Sequence, residues 1–514
     1  MIQPFETGSA VERPLIVNLR LDQVLFVVLL AVIFGIRIVD LNYNSLFVDE
    51  AIYATVGRAV LAGAPNQSAL GWMYGSYLYP ALAGILDQLF GEVGLRMASA
   101  LLSTSAAALV YLATARLFGG EAAIWATLIF GLTAISIDTG QYAVYDAPVI
   151  PALAAALYLV VRAAEAPPRQ EQLWLLAAGG CFVVAVLAKY FAVLFLPALC
   201  CVGLACALQQ GRSLRPFLRY FLTPLTLLIG AYALYTHNDL RNLLAGNFAV
   251  RPGDRGLIFS EIWAEIGGTT LLAVGGLALL AWRGLPLATN APRWRRLLWA
   301  ALVPALALTA LAAPAYHLLA GNLQSAWKHT IYSLIFLAPL AGYACHQLVA
   351  AARELTGRRG VVVRAVGALA SVALVVWGLS YALDRNWGFQ HSWPNVRGVV
   401  SHLRAAGLQP GDNVLAEGAQ IYDYYLNFGP EQSAMWTNTW YSVYAGKQGV
   451  DAMEAAIADR HYRFVILDSY HTPELRERLE GALGAAGYTR SYDERQPLSI
   501  GVTAQLSVYQ APTP

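Results

Sequence analysis

LDQVLFVVLLAVIFGIRIVDLNYNSLFVDEAIY, residues 21–53, decides what kind of chain this is. Its opening run, 21–38, is apolar apart from Asp22, Gln23 and Arg37. The hydrocarbon core of a bilayer takes about 20 such residues as one helix. The run has no small-residue cleavage site after it and is long enough to be a retained anchor, so no signal peptide is needed. Soon after it the chain sets two carboxylates side by side, Asp49 and Glu50. Adjacent acids repel each other and are costly to desolvate at a membrane surface. They are tolerated as first-turn acids of a solvated helix. In a cleft, one can act as a base while the other holds a substrate hydroxyl or a cation.

The rest of the chain repeats the apolar theme. Of 514 residues, 57% are hydrophobic and 13% charged, and the mean hydropathy is +0.50. Few soluble domains are so apolar. Spans are expected near 21–38, 95–117, 120–137, 147–163, 172–188, 190–208, 217–236, 268–283, 296–313, 330–350 and 362–383, about eleven in all. The apolar stretch 76–91 is read as lying in the interface. Residues 1–383 thus form a membrane module, with 39–94 a long first loop carrying surface helices. Residues 384–514 have ordinary polarity, strand-like runs Phe464 to Leu467 and Leu506 to Tyr509, and helix-like runs Val450 to Arg460 and Pro473 to Ala486. They predict a small α/β domain. The five cysteines all fall in apolar runs and read as small hydrophobes.

Arginine placement orients the chain. With 76–91 in the interface, one set of loops carries Arg116, Arg162, Arg169, Arg212, Arg215, Arg219, Arg283, Arg293, Arg353, Arg358 and their neighbours, with Arg13 and Arg20 before the first span. The positive-inside rule makes that set cytoplasmic. The 39–94 segment, the 138–146, 237–267 and 314–329 loops and the C-terminal domain are then expected outside, in a multi-pass protein of the plasma (inner) membrane.

The outward loops hold the residues suited to chemistry. Asp146 starts a helix with Pro148 in its first turn, so it is an N-cap, a functional acid, or both. Lys189 and Tyr190, wedged between two spans, either anchor at the interface or hold a lipid-linked phosphate. Lys328 and His329 pose the same choice. Arg37 and Asp40, three apart, read as a pair on one helix face. His237 and His317 lack metal-ligand spacing and read as loop histidines. No G-x-x-x-x-G-K-[ST] occurs and no G-x-G-x-x-G follows a strand, so direct nucleotide use is unsupported, as is a nucleic-acid partner.

In order and spacing these motifs resemble the GT-C membrane glycosyltransferases, in the branch of protein O-mannosyltransferases and lipid A aminoarabinose transferases. The run from Arg37 through Asp49-Glu50-Ala51-Ile52-Tyr53 to Leu61-Ala62-Gly63 is similar to that family's first-loop signature. So are Tyr77-Leu78-Tyr79-Pro80, Leu95-Arg96-Met97-Ala98-Ser99 and Ala115-Arg116-Leu117-Phe118-Gly119. Gly140-Gln141-Tyr142-Ala143-Val144-Tyr145-Asp146 resembles its second acidic motif, and Leu187-Ala188-Lys189-Tyr190 its lysine motif. The chain departs from the aminoarabinose transferases, which carry Lys-Pro where it has Leu70-Gly71-Trp72-Met73-Tyr74-Gly75.

The resemblance implies a GT-C fold and an inverting transfer from a polyprenyl-phosphate sugar to a lipid, glycan or protein hydroxyl outside the cytoplasm. It implies Asp49 as the base or acceptor-orienting carboxylate, with Glu50 and Asp146 positioning substrate. Tyr53, Arg58, Gln141, Tyr142, Lys189, Tyr190, Lys328 and His329 are the expected substrate-binding set. The resemblance fixes no cofactor and leaves a divalent cation open. The physical logic agrees, because negative charge grows on the leaving phosphate and cations nearby stabilise it. The rival reading is a secondary transporter or flippase of lipid-linked substrates, which predicts mid-membrane charges and paired repeats. No internal repeat is visible.

Overall fold

A computed structural model describes residues 21–63, 73–249, 253–282, 293–426 and 435–512. Arg13, Arg20, Arg283 and the stretch 70–72 lie outside the described residues. Among them, nine helices are long and apolar enough to cross a membrane, or ten if the bent pair Gly120–Leu132 and Ala134–Gln141 counts as one span. Of the eleven expected spans, the one at 296–313 is not among these. That stretch falls on the helix Arg293–Ala310, whose sequence opens with Arg293, Arg295 and Arg296, followed by the short helix Ala312–Ala320. The stretch 76–91 is not separated from the next span by a loop. It runs into it as one helix, Leu78–Phe118, broken only at Gly91, whose φ of 65° suits a residue without Cβ.

The membrane helices share one apolar core that includes Ile33, Phe130, Leu153, Phe182, Phe195 and Phe336. Helix Asp146–Glu165 packs against Leu78–Phe118 and Pro168–Ala188. The 60° bend after Leu132 comes from Thr133, whose backbone is extended (φ −72°, ψ 147°). Such a break frees carbonyls from the helical ladder. Arg37 answers them: its guanidinium donates to Gly131 O at 3.0 Å and Ser136 O at 2.9 Å, and also to Ile33 O and the Ser103 and Ser136 hydroxyls. The expected Arg37–Asp40 pair therefore does not form. Arg37 is fully buried, and Asp40 lies in a turn at positive φ.

The last membrane helix, Gly357–Gln390, leads through Trp393 and the helix Arg397–Ala405 into a five-stranded sheet. The strands are β1 (Asn413–Ala416), β2 (Met435–Asn438), β5 (Phe464–Leu467), β6 (Thr489–Pro497) and β7 (Thr503–Gln510), in the order β2-β1-β5-β7-β6. A two-stranded ribbon of β3 (Val443–Tyr444) and β4 (Lys447–Gln448) stands apart. β2, β1 and β5 run parallel, and β7 and β6 antiparallel. Both strand-like runs of the sequence are strands, and the two helix-like runs form Val450–Ala458 and Pro473–Ala485.

The sheet region is seated on the first loop. Leu46, Val48, Ala51 and Tyr53 share a core with Val396, Leu403, Val414, Tyr422 and Phe464. Polar ties reinforce the seat. Asn44 Nδ2 donates to Gln390 O and Trp393 O, and Trp393 Nε1 to Ser45 O. The helix Val48–Leu61 crosses Leu78–Phe118 at two glycines. A Cβ on Gly57 would lie 2.1 Å from Pro80 O, and one on Gly84 2.4 Å from Gly57 C. This close crossing fixes the helix that carries the acidic pair.

Candidate active site

Successive residues on a helix point about 100° apart, and this separates the two adjacent acids. Glu50 turns inward and is buried. Its Oε1 accepts from Arg96 Nε at 3.0 Å and Ala143 N at 2.9 Å, and its Oε2 from Arg96 Nη2 at 2.8 Å and Phe47 N at 2.9 Å. These four donors occupy the Glu50 carboxylate and tie the start of its helix to Arg96 and to the turn at Ala143. Asp49 turns outward. Its side chain is 31% exposed, and its Oδ2 receives Lys328 Nζ at 3.2 Å and the Tyr142 hydroxyl at 3.3 Å.

Behind this pair stands a second. Asp146 is fully buried at the start of its helix, and its Oδ1 accepts from Lys189 Nζ at 2.7 Å and from the Tyr332 hydroxyl. Lys189 falls where the chain leaves the helix Pro168–Ala188 with extended backbone (φ −158°), which turns its ammonium inward over the Tyr145 ring at 4.2 Å. Lys189 Nζ also meets His329 Nε2 at 2.7 Å, His329 Nδ1 meets His317 Nε2 at 2.8 Å, and His317 Nδ1 meets Asn322 O at 2.7 Å. His317, expected to be an ordinary loop histidine, is thus the buried end of a polar chain that runs from Lys189.

The first pair opens on a cavity of about 810 Å³. Phe47, Asp49, Tyr142, Trp327 and Lys328 form its membrane-side wall, Asp138 and Arg385 stand elsewhere on the lining, and Trp440, Tyr441 and Tyr470 reach in from the sheet region. Of the expected residues, Asp49, Tyr142 and Lys328 line it. Lys189, Asp146 and His329 sit behind as support. The others lie elsewhere. Arg58 binds Asp87 and Tyr424 O and lies over the Tyr424 ring, which clamps its helix to the sheet region. Tyr53 packs edge-on to Tyr79 and Tyr145. Gln141 bonds to Ile36 O, Val39 O and Gln390, and Tyr190 to Thr236. Tyr332, Asp138 and the sheet-region aromatics escaped the sequence reading because only tertiary packing brings them here. Among the described residues, no three His, Cys, Asp or Glu side chains are grouped to hold a metal.

Behind the sheet-region aromatics lies a buried acidic pair at the carboxyl ends of β1 and β5. Asp468 N and Ser469 N donate to Glu417 Oε2 at 2.6 and 2.8 Å, and Thr472 Oγ1 to Glu417 Oε1 at 2.9 Å. Burial, together with the neighbouring Asp468, pushes the Glu417 carboxyl up to about 9. Asp468 goes the other way. Burial works to raise it, but His471 Nδ1 at 2.5 Å and the surrounding hydrogen bonds pull it below the usual range. Folded Glu417 keeps a proton that the unfolded chain has lost, so its contribution to stability declines as pH rises from about 5 to about 9, by at most about 1.4 kcal/mol per unit. Thermal melts of the full chain followed by tryptophan fluorescence are expected to show that decline, and Glu417→Gln to flatten it. An unchanged slope in the variant would assign the decline to other groups.

With the geometry in place, the architecture is that of the GT-C fold: a bundle of apolar helices, a first loop bearing the acidic pair, and a sheet region seated over it. Residues 75–235 match the family model described as dolichyl-phosphate-mannose-protein mannosyltransferase. Among solved structures, ArnT from Cupriavidus metallidurans bound to undecaprenyl phosphate is similar at a TM-score of 0.54 and 16% identity, covering 94% of this chain and 97% of that one. The archaeal oligosaccharyltransferase AglB from Archaeoglobus fulgidus, in complex with an inhibitory peptide and a dolichol-phosphate, is similar at 0.54 and 13% identity, over 94% of this chain and 74% of that one. No curated protein matches the sequence.

Proposed function

We propose that this protein is an inverting glycosyltransferase that moves a sugar from a polyprenyl-phosphate donor to an acceptor hydroxyl on the side of the membrane away from the cytoplasm. The observation that carries the reading is Asp49. It is the one carboxylate of the adjacent acidic pair that opens on the cavity, and it is held there by a buried lysine and a tyrosine hydroxyl. The two similar structures that hold lipid phosphates support the choice of donor.

In the proposed step the acceptor oxygen attacks the anomeric carbon, and the bond from that carbon to the phosphate oxygen breaks with its electron pair leaving on polyprenyl phosphate. Asp49 takes the proton of the acceptor hydroxyl. Lys328 stabilises the charge growing on the phosphate. Lys189 and Asp146 neutralise each other just behind it, which allows a second ammonium to be buried near Lys328. Phosphate is a good leaving group, so the cations do the work a general acid would otherwise do.

The rival transporter reading asks for ionisable groups deep in the spans. Here Asp146 and Lys328 stand at the starts of their helices and Lys189 between two of them. The test is turnover of synthetic polyprenyl-phosphate sugars by the purified chain in nanodiscs. Release of polyprenyl phosphate is expected, and Lys328→Met should lower kcat about 10²-fold or more. A chain that moves the lipid across the bilayer and releases no phosphate would favour the transporter.

A further inference from the structure

Asp138 is left unexplained by this chemistry. It sits on Ala134–Gln141, the short helix set off by the 60° bend, is buried, and lines the same cavity as Asp49. Its Oδ1 has no hydrogen-bond partner among the described residues. Two arginines lie near it, and neither pairs with it. Arg37 spends its donors on backbone carbonyls and serine hydroxyls, and Arg385 donates to Glu265 Oε1 at 2.6 Å. A buried acceptor without a donor costs about 1–3 kcal/mol, and such atoms are kept where something else supplies the partner.

The surroundings narrow what that is. The two cations on the lining, Lys328 and Arg385, are already engaged, by Asp49 and Glu265. Lys328 is the cation that the proposed step gives to the donor phosphate, so a phosphorylated acceptor would compete with the donor for it, and three lining carboxylates, Asp49, Asp138 and Asp384, would repel that acceptor. The walls are instead rich in aromatic faces, notably Phe389 and Trp393 from the membrane side and Trp440 and Tyr470 from the sheet region. Flat apolar surface with a few carboxylates suits a ring that has C–H faces and a hydroxyl edge.

Resting on the transferase reading, we infer that the acceptor is a neutral glycan. One of its sugar units lies against Trp440 and Tyr470, and a hydroxyl of that unit hydrogen-bonds Asp138. Asp138 is then an acceptor-positioning residue, distinct from the base at Asp49.

The experiment offers the full chain in nanodiscs a polyprenyl-phosphate sugar that it turns over, with three acceptors in parallel: neutral oligosaccharides of mannose, galactose or glucose; a phosphorylated lipid A; and a serine- and threonine-containing peptide. Transfer to a neutral oligosaccharide is expected. Asp138→Ala and Trp440→Ala should each raise its KM at least tenfold, with kcat within threefold and donor KM unchanged. Asp138→Asn, which keeps an acceptor oxygen, should restore most of the binding. Trp440 is 38% exposed, so its truncation tests the subsite even if Asp138→Ala fails to fold. Transfer to the lipid or the peptide alone overturns the inference, as does a donor KM that rises together with the acceptor KM. Lack of any donor turnover by the wild type would instead sink the transferase reading itself.

Discussion

Asp49→Asn is expected to lower kcat for glycosyl transfer by about 10²–10⁴-fold, the range that a positioned base contributes. The amide matches the carboxylate in shape and can still accept from Tyr142, so the cavity wall should survive the change. What goes is the ability to take a proton, along with the negative charge facing Lys328 across 3.2 Å. Donor KM should move much less than kcat, because the proposed step gives the phosphate contact to Lys328 and not to Asp49. The check is steady-state transfer at saturating donor, with folding verified by the thermal melt. A kcat within threefold of wild type would remove Asp49 from the chemistry.

Arg96→Met should have the largest effect on stability, costing about 3–5 kcal/mol, as expected when one partner of a buried ion pair is removed. The guanidinium is fully buried over the Tyr43 ring. Besides its two bonds to Glu50 it donates to Leu41 O, Asn44 O and Ser45 O. Methionine would fill much of the space and leave a buried carboxylate and three carbonyls without that donor. The loop that enters the Asp49 helix and, through Glu50, the turn at Ala143 would loosen together. Thermal inactivation in detergent should therefore show a lower midpoint, with activity lost in step. The double variant with Glu50→Gln should recover part of the loss, since it removes the stranded charge. An unshifted midpoint in Arg96→Met would show that the pair does not hold the loop.

The spans were legible because lipid demands long unbroken apolar runs, and nothing in the fold overrides that demand. The exception, 296–313, sits where three arginines crowd the start of a helix and shorten its apolar length. Asp49, Asp146, Lys189 and Lys328 could be picked out for a related reason: charges at helix ends in so apolar a chain are costly unless they meet one another. The structure brings them together. What could not be read was the division of labour between Asp49 and Glu50. A capping box usually announces itself with Ser or Thr, and here Phe47 occupies the cap position, with the Glu50 carboxylate bonded to its backbone N–H. From sequence alone Asp138 falls in the 138–146 loop, because the Arg37 that satisfies the carbonyls at the Thr133 bend lies far back in the chain. Trp440 and Tyr470 gave no signal at all, since their place on the cavity depends on how the sheet region sits on the first loop.

The anomeric configuration of the transferred sugar tests most directly the proposed single displacement at a lipid-linked phosphate with Asp49 as base. NMR of the product formed from a polyprenyl-phosphate sugar of defined anomer should show the opposite anomer, with one polyprenyl phosphate released per sugar transferred. A product that keeps the donor's configuration would mean two displacements through a covalent sugar–enzyme intermediate, and would contradict the role given to Asp49.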